Sequence, residues 1–303
     1  MLTNYKNILP KKLITLAKNI SPLSVAIISA DQTQAMESAQ LAYDLNLIEP
    51  IFIGNKTKIQ NAANLLNWDI SKFQIIDKKN DVDSANIGSE LAKDGKVKVL
   101  VKGNLHTDIL MRSYLKKEFG LLEGKRLSHI WHITTPENDK PIFITDGALN
   151  VLPRVDVKMH ILSNAVEFTK KMKIFKPRVA VLSGTEDPIE SMPSSMEAKE
   201  VMDRAIKENI DAFVHGPLGF DNAISKDAAE IKNIKNEVAG KADILLVPNL
   251  ETGNSLCKIM VVFMNACAAG IVVGGKVPVV VASRADNALS RVASIAAAII
   301  ATN

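Results

Sequence analysis

The stretch "PVVVASRADNALSRV", Pro278–Val292, carries the pattern that decides the fold. A strand is predicted at Pro278–Ser283, because the four successive apolar residues Val279–Ala282 are typical of a buried strand. A helix is predicted directly after it, at Asp286–Ala301, with apolar residues at one helical spacing: Leu289, Val292, Ile295, Ala296 and Ile299. The polar Ser-Arg-Ala-Asp between them predicts either an anion site at the strand's end or a plain turn with a helix cap.

The same alternation of apolar strand and amphipathic helix recurs along the chain. It predicts an α/β protein with parallel sheets covered on both faces. The other predicted strands are Ser24–Ala30, Glu49–Gly54, Phe73–Asp77, Val97–Gly103, Arg178–Gly184, Asp211–Gly216 and Ala242–Pro248. Predicted helices in the second half are Asp156–Lys171, Ser195–Lys207, Ala223–Lys235 and Asn254–Ala269.

The middle of the chain departs from this alternation. Two extended runs, Leu127–Ile133 and Pro141–Gly147, have little helix between them and are expected to pair antiparallel. The polar segment Thr135–Lys140, "TPENDK", is the predicted linker between domains. We therefore expect one α/β domain from residues 1–138 and 272–303 and a second from 139–271, with a ligand-binding cleft between them.

Composition limits the classes of function. The chain has 303 residues, 47% hydrophobic and 23% charged, and its net charge of +4 is spread without long basic runs. This argues against nucleic acid as a partner. Neither a signal peptide nor an apolar run of membrane-spanning length is apparent, so no membrane partner is expected. We interpret Cys257 and Cys267 as small core residues rather than catalytic thiols. Two cysteines in one apolar stretch fit a reducing, cytoplasmic setting.

Polar clusters follow the predicted strands in order, for example Lys102–Asp108 and Gly216–Ser225. Such loops can donate hydrogen bonds to oxyanions, although each also makes an ordinary turn or helix cap, and Lys102 could simply extend into solvent. The fingerprints of a Walker loop, a dinucleotide fold and an α/β-hydrolase are absent. His129 and His132 lie on one predicted strand, but no third ligand of plausible spacing follows, so no metal is predicted.

Taken together, six motifs resemble the phosphotransacylase family, the phosphate acetyltransferases and phosphate butyryltransferases. They are KGNLHT, DGALNVLP, VAVLSGTE, GPLGFDNAIS, AGKADILLVPNLETGNSLCK and VVVASRAD, in the family's order, over roughly residues 20–300. The form SRAD and the length without extra N-terminal domains look more like the butyryltransferase branch.

The resemblance implies an enzyme that converts acyl-CoA and phosphate reversibly into acyl phosphate and CoA. It implies two α/β domains with the active site in their cleft, a shape related to isocitrate and isopropylmalate dehydrogenases, and a homo-oligomer, a dimer or larger. No metal and no cofactor are implied, because coenzyme A is a substrate or product. Direct transfer in a ternary complex is expected, without an acyl-enzyme.

The resemblance also implies roles for individual residues. The family's Ser-Arg pair falls on Ser283 and Arg284, so Arg284 would bind phosphate and Ser283 would contact the reacting thioester or its oxyanion. Asp286 would be either the base for the CoA thiol or a cap of the last helix. Further phosphate candidates are Thr107, Ser128, Arg126 and Lys102. Residues expected to line the CoA cleft are Asp221, Asn222, Ser225, Asn254 and Lys258.

Two rival hypotheses are kept. One is a metal-dependent NAD(P) dehydrogenase of the same architecture, which would need acidic metal ligands and a nucleotide pocket. The other is a non-catalytic CoA- or phosphate-binding protein. Release of CoA from acetyl-CoA in the presence of phosphate distinguishes the expected enzyme from both.

Overall fold

The computed structural model describes residues 8–282 and 286–303. The chain forms two compact units. The discontinuous unit holds the described chain up to Lys125 and again from Ala269 to the end, and the continuous unit is Arg126–Ala268. Neither unit contains a described helix that is both long and apolar enough to cross a membrane.

The N-terminal run of the discontinuous unit alternates helices and strands as predicted. Its elements are α1 (Lys11–Lys18), β1 (Leu23–Ile28), α2 (Thr33–Asp44), β2 (Ile48–Gly54), α3 (Lys56–Leu65), β3 (Ile75–Asp77), α4 (Asp81–Lys93), β4 (Val99–Lys102), α5 (Thr107–Tyr114) and a 3₁₀ turn at Lys117–Phe119. Successive residues of β1 and β4 are buried, so both faces of this sheet are covered. The sequence patterns did not indicate α1 or α5.

The continuous unit begins with a β-hairpin and then returns to the alternation. Its elements are β5 (Ser128–Thr135), β6 (Asn138–Thr145), α6 (Val155–Lys171), β7 (Arg178–Leu182), α7 (Pro193–Lys207), β8 (Phe213–Leu218), α8 (Phe220–Ile224), α9 (Lys226–Ile231), β9 (Ile244–Leu246) and α10 (Leu250–Met264). The strand order is β5-β6-β9-β7-β8, and only the β5–β6 pairing is antiparallel. A core that includes Trp131, Ile144 and Leu245 lies beneath α10.

The C-terminal run completes the discontinuous unit. It consists of β10 (Cys267–Val273), β11 (Val279–Val280) and α11 (Ala288–Ala301). The strand order of this unit is β3-β2-β1-β4-β11-β10, with β11 parallel to β4 and antiparallel to β10. Helix α11 packs on α1 and α2, and nearly all of its side chains are buried.

Four expectations differ from the structure. The expected linker Thr135–Lys140 is the turn of the β5–β6 hairpin, because a polar turn cluster joins paired strands as readily as it joins domains. Accordingly, the units divide after Lys125 rather than after residue 138. The predicted helix Ala223–Lys235 is split at Ser225, whose backbone is extended.

The fourth difference concerns the segment after α10. The predicted helix Asn254–Ala269 ends at Met264, since Asn265 has a left-handed backbone (φ 50°) that terminates a helix. The following Cys267–Val273 is a strand, β10. Small residues in "CAAGIVV" continue the apolar pattern of the helix, which is why the sequence did not indicate this boundary.

Candidate active site

Three parallel strands of the discontinuous unit end at one edge of its sheet. The register pairs Ile28 with Lys102 and Val101 with Val280, so the carboxyl ends of β1, β4 and β11 lie side by side. Open parallel sheets bind ligands at this edge. Ser283 and Arg284 lie outside the described residues, and the described chain after β11 ends at Ala282, next to this edge.

Lys102 brings a positive charge to the edge. Its side chain is only 6% exposed, and Nζ donates hydrogen bonds to the carbonyl oxygens of Leu105 (3.0 Å) and Gly103 (3.3 Å). The alternative that this lysine extends into solvent is therefore wrong. A buried ammonium needs acceptors, and the main chain of the 103–105 loop supplies them.

The loop after β4 has no room for a side chain at Gly103. An added Cβ would lie 2.3 Å from the carbonyl oxygen of Ser29 and 2.6 Å from that of Ile28. The amides of Gly103 and Asn104 donate to these same two oxygens at 2.8 and 2.9 Å. The loop is thus tied to the end of β1 and fixes the start of α5.

Thr107 is the first residue of α5 and is half-buried. The preceding residue, His106, makes no side-chain cap to the helix. Amide groups of the first turn of a helix favour an anion. Lys102, which ends β4, and Thr107, which begins α5, thus lie at the two ends of the 103–106 loop.

Asp286 is half-buried, and its carbonyl oxygen accepts a hydrogen bond from Nε of Arg291 at 3.2 Å. The cap of α11 is Asn287, whose Oδ1 accepts from the amide of Ser290 at 2.8 Å. The alternative that Asp286 caps the last helix is therefore wrong. Sequence reasoning missed Arg291, which is 7% exposed. The net effect on its pKa is a decrease, because burial outweighs the opposing effects of the Asp286 and Glu37 carboxylates.

In the continuous unit, Ser128 and Arg126 share one partner. Nδ2 of Asn164, on α6, donates to Oγ of Ser128 and to the carbonyl oxygen of Arg126, each at 2.9 Å. Ser128 is fully buried, whereas the side chain of Arg126 is exposed. The sequence contains no local signal for Asn164, because it lies 36 residues beyond Ser128.

Asn254 and Lys258 lie one turn apart on α10 and are both half-buried. Nδ2 of Asn254 donates to the carbonyl oxygen of Gly147 at 3.3 Å, in the loop that follows β6. Because β6 and β9 are parallel, this loop and the start of α10 meet at the carboxyl edge of the sheet. Sequence reasoning missed Asp146, which starts that loop and is buried.

The segment Gly216–Ser225 supplies three candidates with different surroundings. Asn222 is fully buried and donates through Nδ2 to Oε1 of Glu186, which also accepts from Lys232 at 2.9 Å. Asp221 is exposed. Ser225 caps α9 through its Oγ, which accepts from the amide of Ala228 at 3.3 Å. Asn222 and Ser225 therefore each hold local structure.

The two buried histidines, His129 and His132, are not part of a metal site among the residues that the structure describes. His129 packs on Trp131 and His132 on Phe143, and burial lowers the pKa of each imidazole to about 4. Across residues 8–282 and 286–303, no three His, Cys, Asp or Glu side chains are grouped so that they could hold a metal ion.

The geometry defines an α/β protein in which one buried cation, Lys102, and the first turn of α5 lie at the carboxyl ends of parallel strands. Residues 80–300 match the family model described as "Phosphate acetyl/butaryl transferase". The chain belongs to this family, the phosphate acetyl- and butyryltransferases, and is an acyltransferase. The family resemblance of its motifs is thus confirmed, and the dehydrogenase hypothesis gains no support.

Similar proteins come from both branches of the family. A phosphate acetyltransferase of Rickettsia felis is 38% identical over 284 residues, 93% of this chain and 81% of that protein. A phosphate butyryltransferase of Clostridium acetobutylicum is 34% identical over 294 residues, 96% of this chain and 98% of that protein. The crystal structure of a branched-chain phosphotransacylase from Enterococcus faecalis superposes with a TM-score of 0.83 at 30% identity, covering 92% of this chain and 99% of that one.

Proposed function

We propose that this acyltransferase moves an acetyl or butyryl group directly between coenzyme A and inorganic phosphate in a ternary complex. The observation that carries the proposal is the parallel pairing of β11 with β4. This pairing brings the described chain, which continues to Ala282, to the edge that holds Lys102 and the start of α5.

In this proposal each phosphate candidate supplies a different kind of contact. Arg284 binds the phosphate through its guanidinium, whose planar fork matches two oxygens. Lys102 adds positive charge and Thr107 a hydroxyl donor at the α5 terminus. Ser128 accepts one bond from Asn164, and its hydroxyl retains a proton to donate. The side chain of Arg126 is exposed, and the hydrogen bond from Asn164 reaches only its main-chain carbonyl oxygen.

The chemistry follows from bringing two substrates together. A phosphate oxygen attacks the thioester carbonyl carbon, the C–O bond forms, and the C–S bond breaks as CoA leaves as a thiolate. Ser283 stabilises the oxyanion of the tetrahedral intermediate. Holding both substrates in place removes an entropic barrier of roughly 7 kcal/mol or more. A thiolate of ordinary pKa about 8.5 leaves without strong acid assistance. In the reverse direction Asp286 takes the thiol proton.

The remaining expectations belong to this proposal. We expect a cleft between two α/β domains of the isocitrate and isopropylmalate dehydrogenase type. The residues expected to line it are Asp221, Asn222, Ser225, Asn254 and Lys258. We also expect a homo-oligomer of two or more chains, a cytoplasmic location, and no cofactor apart from coenzyme A as a substrate. The family resemblance supports the architecture and the assembly. The burial of Cys257 and Cys267 agrees with a reducing compartment.

Replacing Arg284 by Gln tests the proposal. CoA release from acetyl-CoA and butyryl-CoA with phosphate is followed with a thiol reagent, and we expect kcat/KM for phosphate to fall by about 100-fold or more. The matched control is Arg112→Gln, which removes an exposed arginine of α5 that pairs with Asp108 and should leave the rate unchanged. Undiminished phosphorolysis in Arg284→Gln would contradict the proposal.

A further inference from the structure

A single buried carboxylate organises the loop after β6. Asp146 is 2% exposed. Its Oδ1 accepts hydrogen bonds from the amides of Ala148 (3.0 Å) and Leu149 (2.9 Å). Its Oδ2 accepts from the amide of His129 (3.0 Å) and from Nδ2 of Asn150 (2.7 Å). The carboxylate therefore folds the 146–150 loop around itself and ties it to β5.

The loop that Asp146 organises is in main-chain contact with α10. A Cβ added to Gly253 would lie 2.9 Å from Cα of Gly147 and 3.0 Å from the carbonyl oxygen of Asp146. A Cβ added to Gly147 would lie 3.2 Å from the carbonyl carbon of Gly253 and 3.0 Å from Nε1 of Trp131. With no side chains between them, a displacement of the loop must displace the first turns of the helix.

Asn254 is hydrogen-bonded to this loop through its side chain. Its Nδ2 donates to the carbonyl oxygen of Gly147, the residue next to Asp146. The orientation of the amide side chain therefore depends on where that carbonyl oxygen points, and Asp146 fixes this direction through the bonds to Ala148 and Leu149.

We propose that Asp146 is a positioning residue for acyl-CoA binding, acting through Gly147 on Asn254. The inference rests on the proposed function, in which Asn254 lines the acyl-CoA site. Asp146 touches no substrate in this account. It sets the position of a hydrogen-bonding amide on α10, so its loss should weaken binding of acyl-CoA and leave phosphate binding and the chemical step nearly unchanged.

The variant Asp146→Asn isolates this effect because it conserves size. Each of the two carboxylate oxygens accepts hydrogen bonds from two N–H groups. The NH₂ group of asparagine, which replaces one of these oxygens, therefore faces two N–H groups and can accept from neither. We expect the KM for acyl-CoA to rise about tenfold, while kcat and the KM for phosphate stay within about twofold.

The chain offers a matched control in Asp243→Asn. Asp243 is also buried in the continuous unit, where it accepts from the amide of Arg178 at 3.0 Å and pairs with Lys140 at 3.4 Å. It precedes β9 and so lies at the opposite end of the strands from the 146–150 loop. Thermal unfolding should show both variants destabilised, and only Asp146→Asn should raise the KM for acyl-CoA.

A double-mutant cycle tests the route through Asn254. If Asp146 acts through this side chain, Asn254→Ala raises the KM for acyl-CoA, and adding Asp146→Asn raises it little further. If the two effects multiply, or if either single variant leaves the KM unchanged, the inference is overturned. Should Asp146→Asn fail to fold, Asn150→Ala removes one of the four hydrogen bonds and should raise the same KM about threefold.

The same assay separates the two levels of the argument. A wild-type protein that releases no CoA from acetyl-CoA or butyryl-CoA in the presence of phosphate overturns the proposed function. An active wild-type protein with an unchanged KM for acyl-CoA in Asp146→Asn overturns the positioning role alone.

Discussion

At the scale of single residues, burial of ionisable groups decides how the continuous unit responds to pH. His132 is 2% exposed, packs on Phe143, and has a pKa lowered to about 4 by burial, partly opposed by the Asp139 carboxylate. The unfolded chain binds a proton near the ordinary value of 6.5. As pH falls through this window the unfolded state gains the proton first, so the contribution of His132 to stability is complete above about 6.5 and is lost as the pH falls towards about 4.

The variant His132→Phe should reduce this acid sensitivity. At about pH 5 the imidazole accounts for roughly 2 kcal/mol of lost stability, and phenylalanine keeps the aromatic contact without binding a proton. Urea unfolding at about pH 7 and about pH 5 measures the change. Substituting the exposed His106 by Gln is the control. An equal loss of stability in wild type and His132→Phe would contradict this reading.

The candidate residues themselves were only partly predictable. Lys102 directly follows the apolar run Val99–Val101 and Thr107 lies in the polar cluster after it, where strand ends collect binding residues. Their phosphate roles come from the family resemblance alone. Asn164 could not be predicted, since its partners Arg126 and Ser128 lie far from it in sequence. Asp146 could not, since its bond to His129 joins it to β5 and its bonds to residues 148–150 form only when the loop folds. Asp146 looked like the end of a strand followed by a turn glycine.

At the scale of elements, α10 depends on a glycine for its position. Gly253 is buried against the main chain of Asp146 and Gly147. Replacing glycine by alanine inside a helix normally stabilises it by about 1 kcal/mol. Here the added methyl group meets backbone that cannot rotate away, so the sign should reverse.

Gly253→Ala should therefore lower the free energy of unfolding by about 1–3 kcal/mol, as overpacking does. Urea denaturation measures it. Ser255→Ala, on the exposed face of the same helix, is the control and should stabilise by a few tenths of a kcal/mol. A stabilised Gly253→Ala variant would mean that the loop and the helix are not in contact.

Most strands and several helices were predictable because their apolar period is strong over many residues. Boundaries were not, where a single backbone conformation sets them. Asn265 ends α10 in a left-handed conformation, and the extended Ser225 separates α8 from α9. In both places the apolar pattern continues across the break, so periodicity alone extends the helix.

At the scale of the whole molecule, the surroundings of the two cysteines bear on the reaction. Cys257 and Cys267 are 1% and 2% exposed. A sulfur atom buried to this extent is shielded from a thioester bound at the surface of the protein. An acyl group carried on either sulfur is therefore not expected, and transfer should be direct.

Incubating the protein with acetyl-CoA or butyryl-CoA without phosphate, followed by acid quenching and mass spectrometry, checks this. The mass of the chain should not change. As a control, both cysteines are alkylated in denaturant, and detection of the two alkylated peptides shows that an adduct on either sulfur would be seen. An acyl adduct on a peptide that holds Cys257 or Cys267 would show a covalent intermediate and contradict direct transfer.

The domain boundary shows what local patterns miss at this scale. A polar turn cluster at Thr135–Lys140 looks the same whether it joins two domains or two strands of a hairpin. Which one it is depends on the pairing of Ile130 with Thr145 and of Trp131 with Ile144, and this pairing is a property of the folded unit.

The discontinuous unit has a consequence for synthesis on the ribosome. Its sheet needs β11 beside β4, and its core needs α11 packed on α1 and α2, yet these pieces leave the exit tunnel only after the whole continuous unit. Arg126–Ala268 can fold while it emerges, whereas the earlier segment must wait with the side chains of α1 and α2 that pack on α11 uncovered. Nascent chains stalled before Ala288 should therefore recruit chaperones through the N-terminal half.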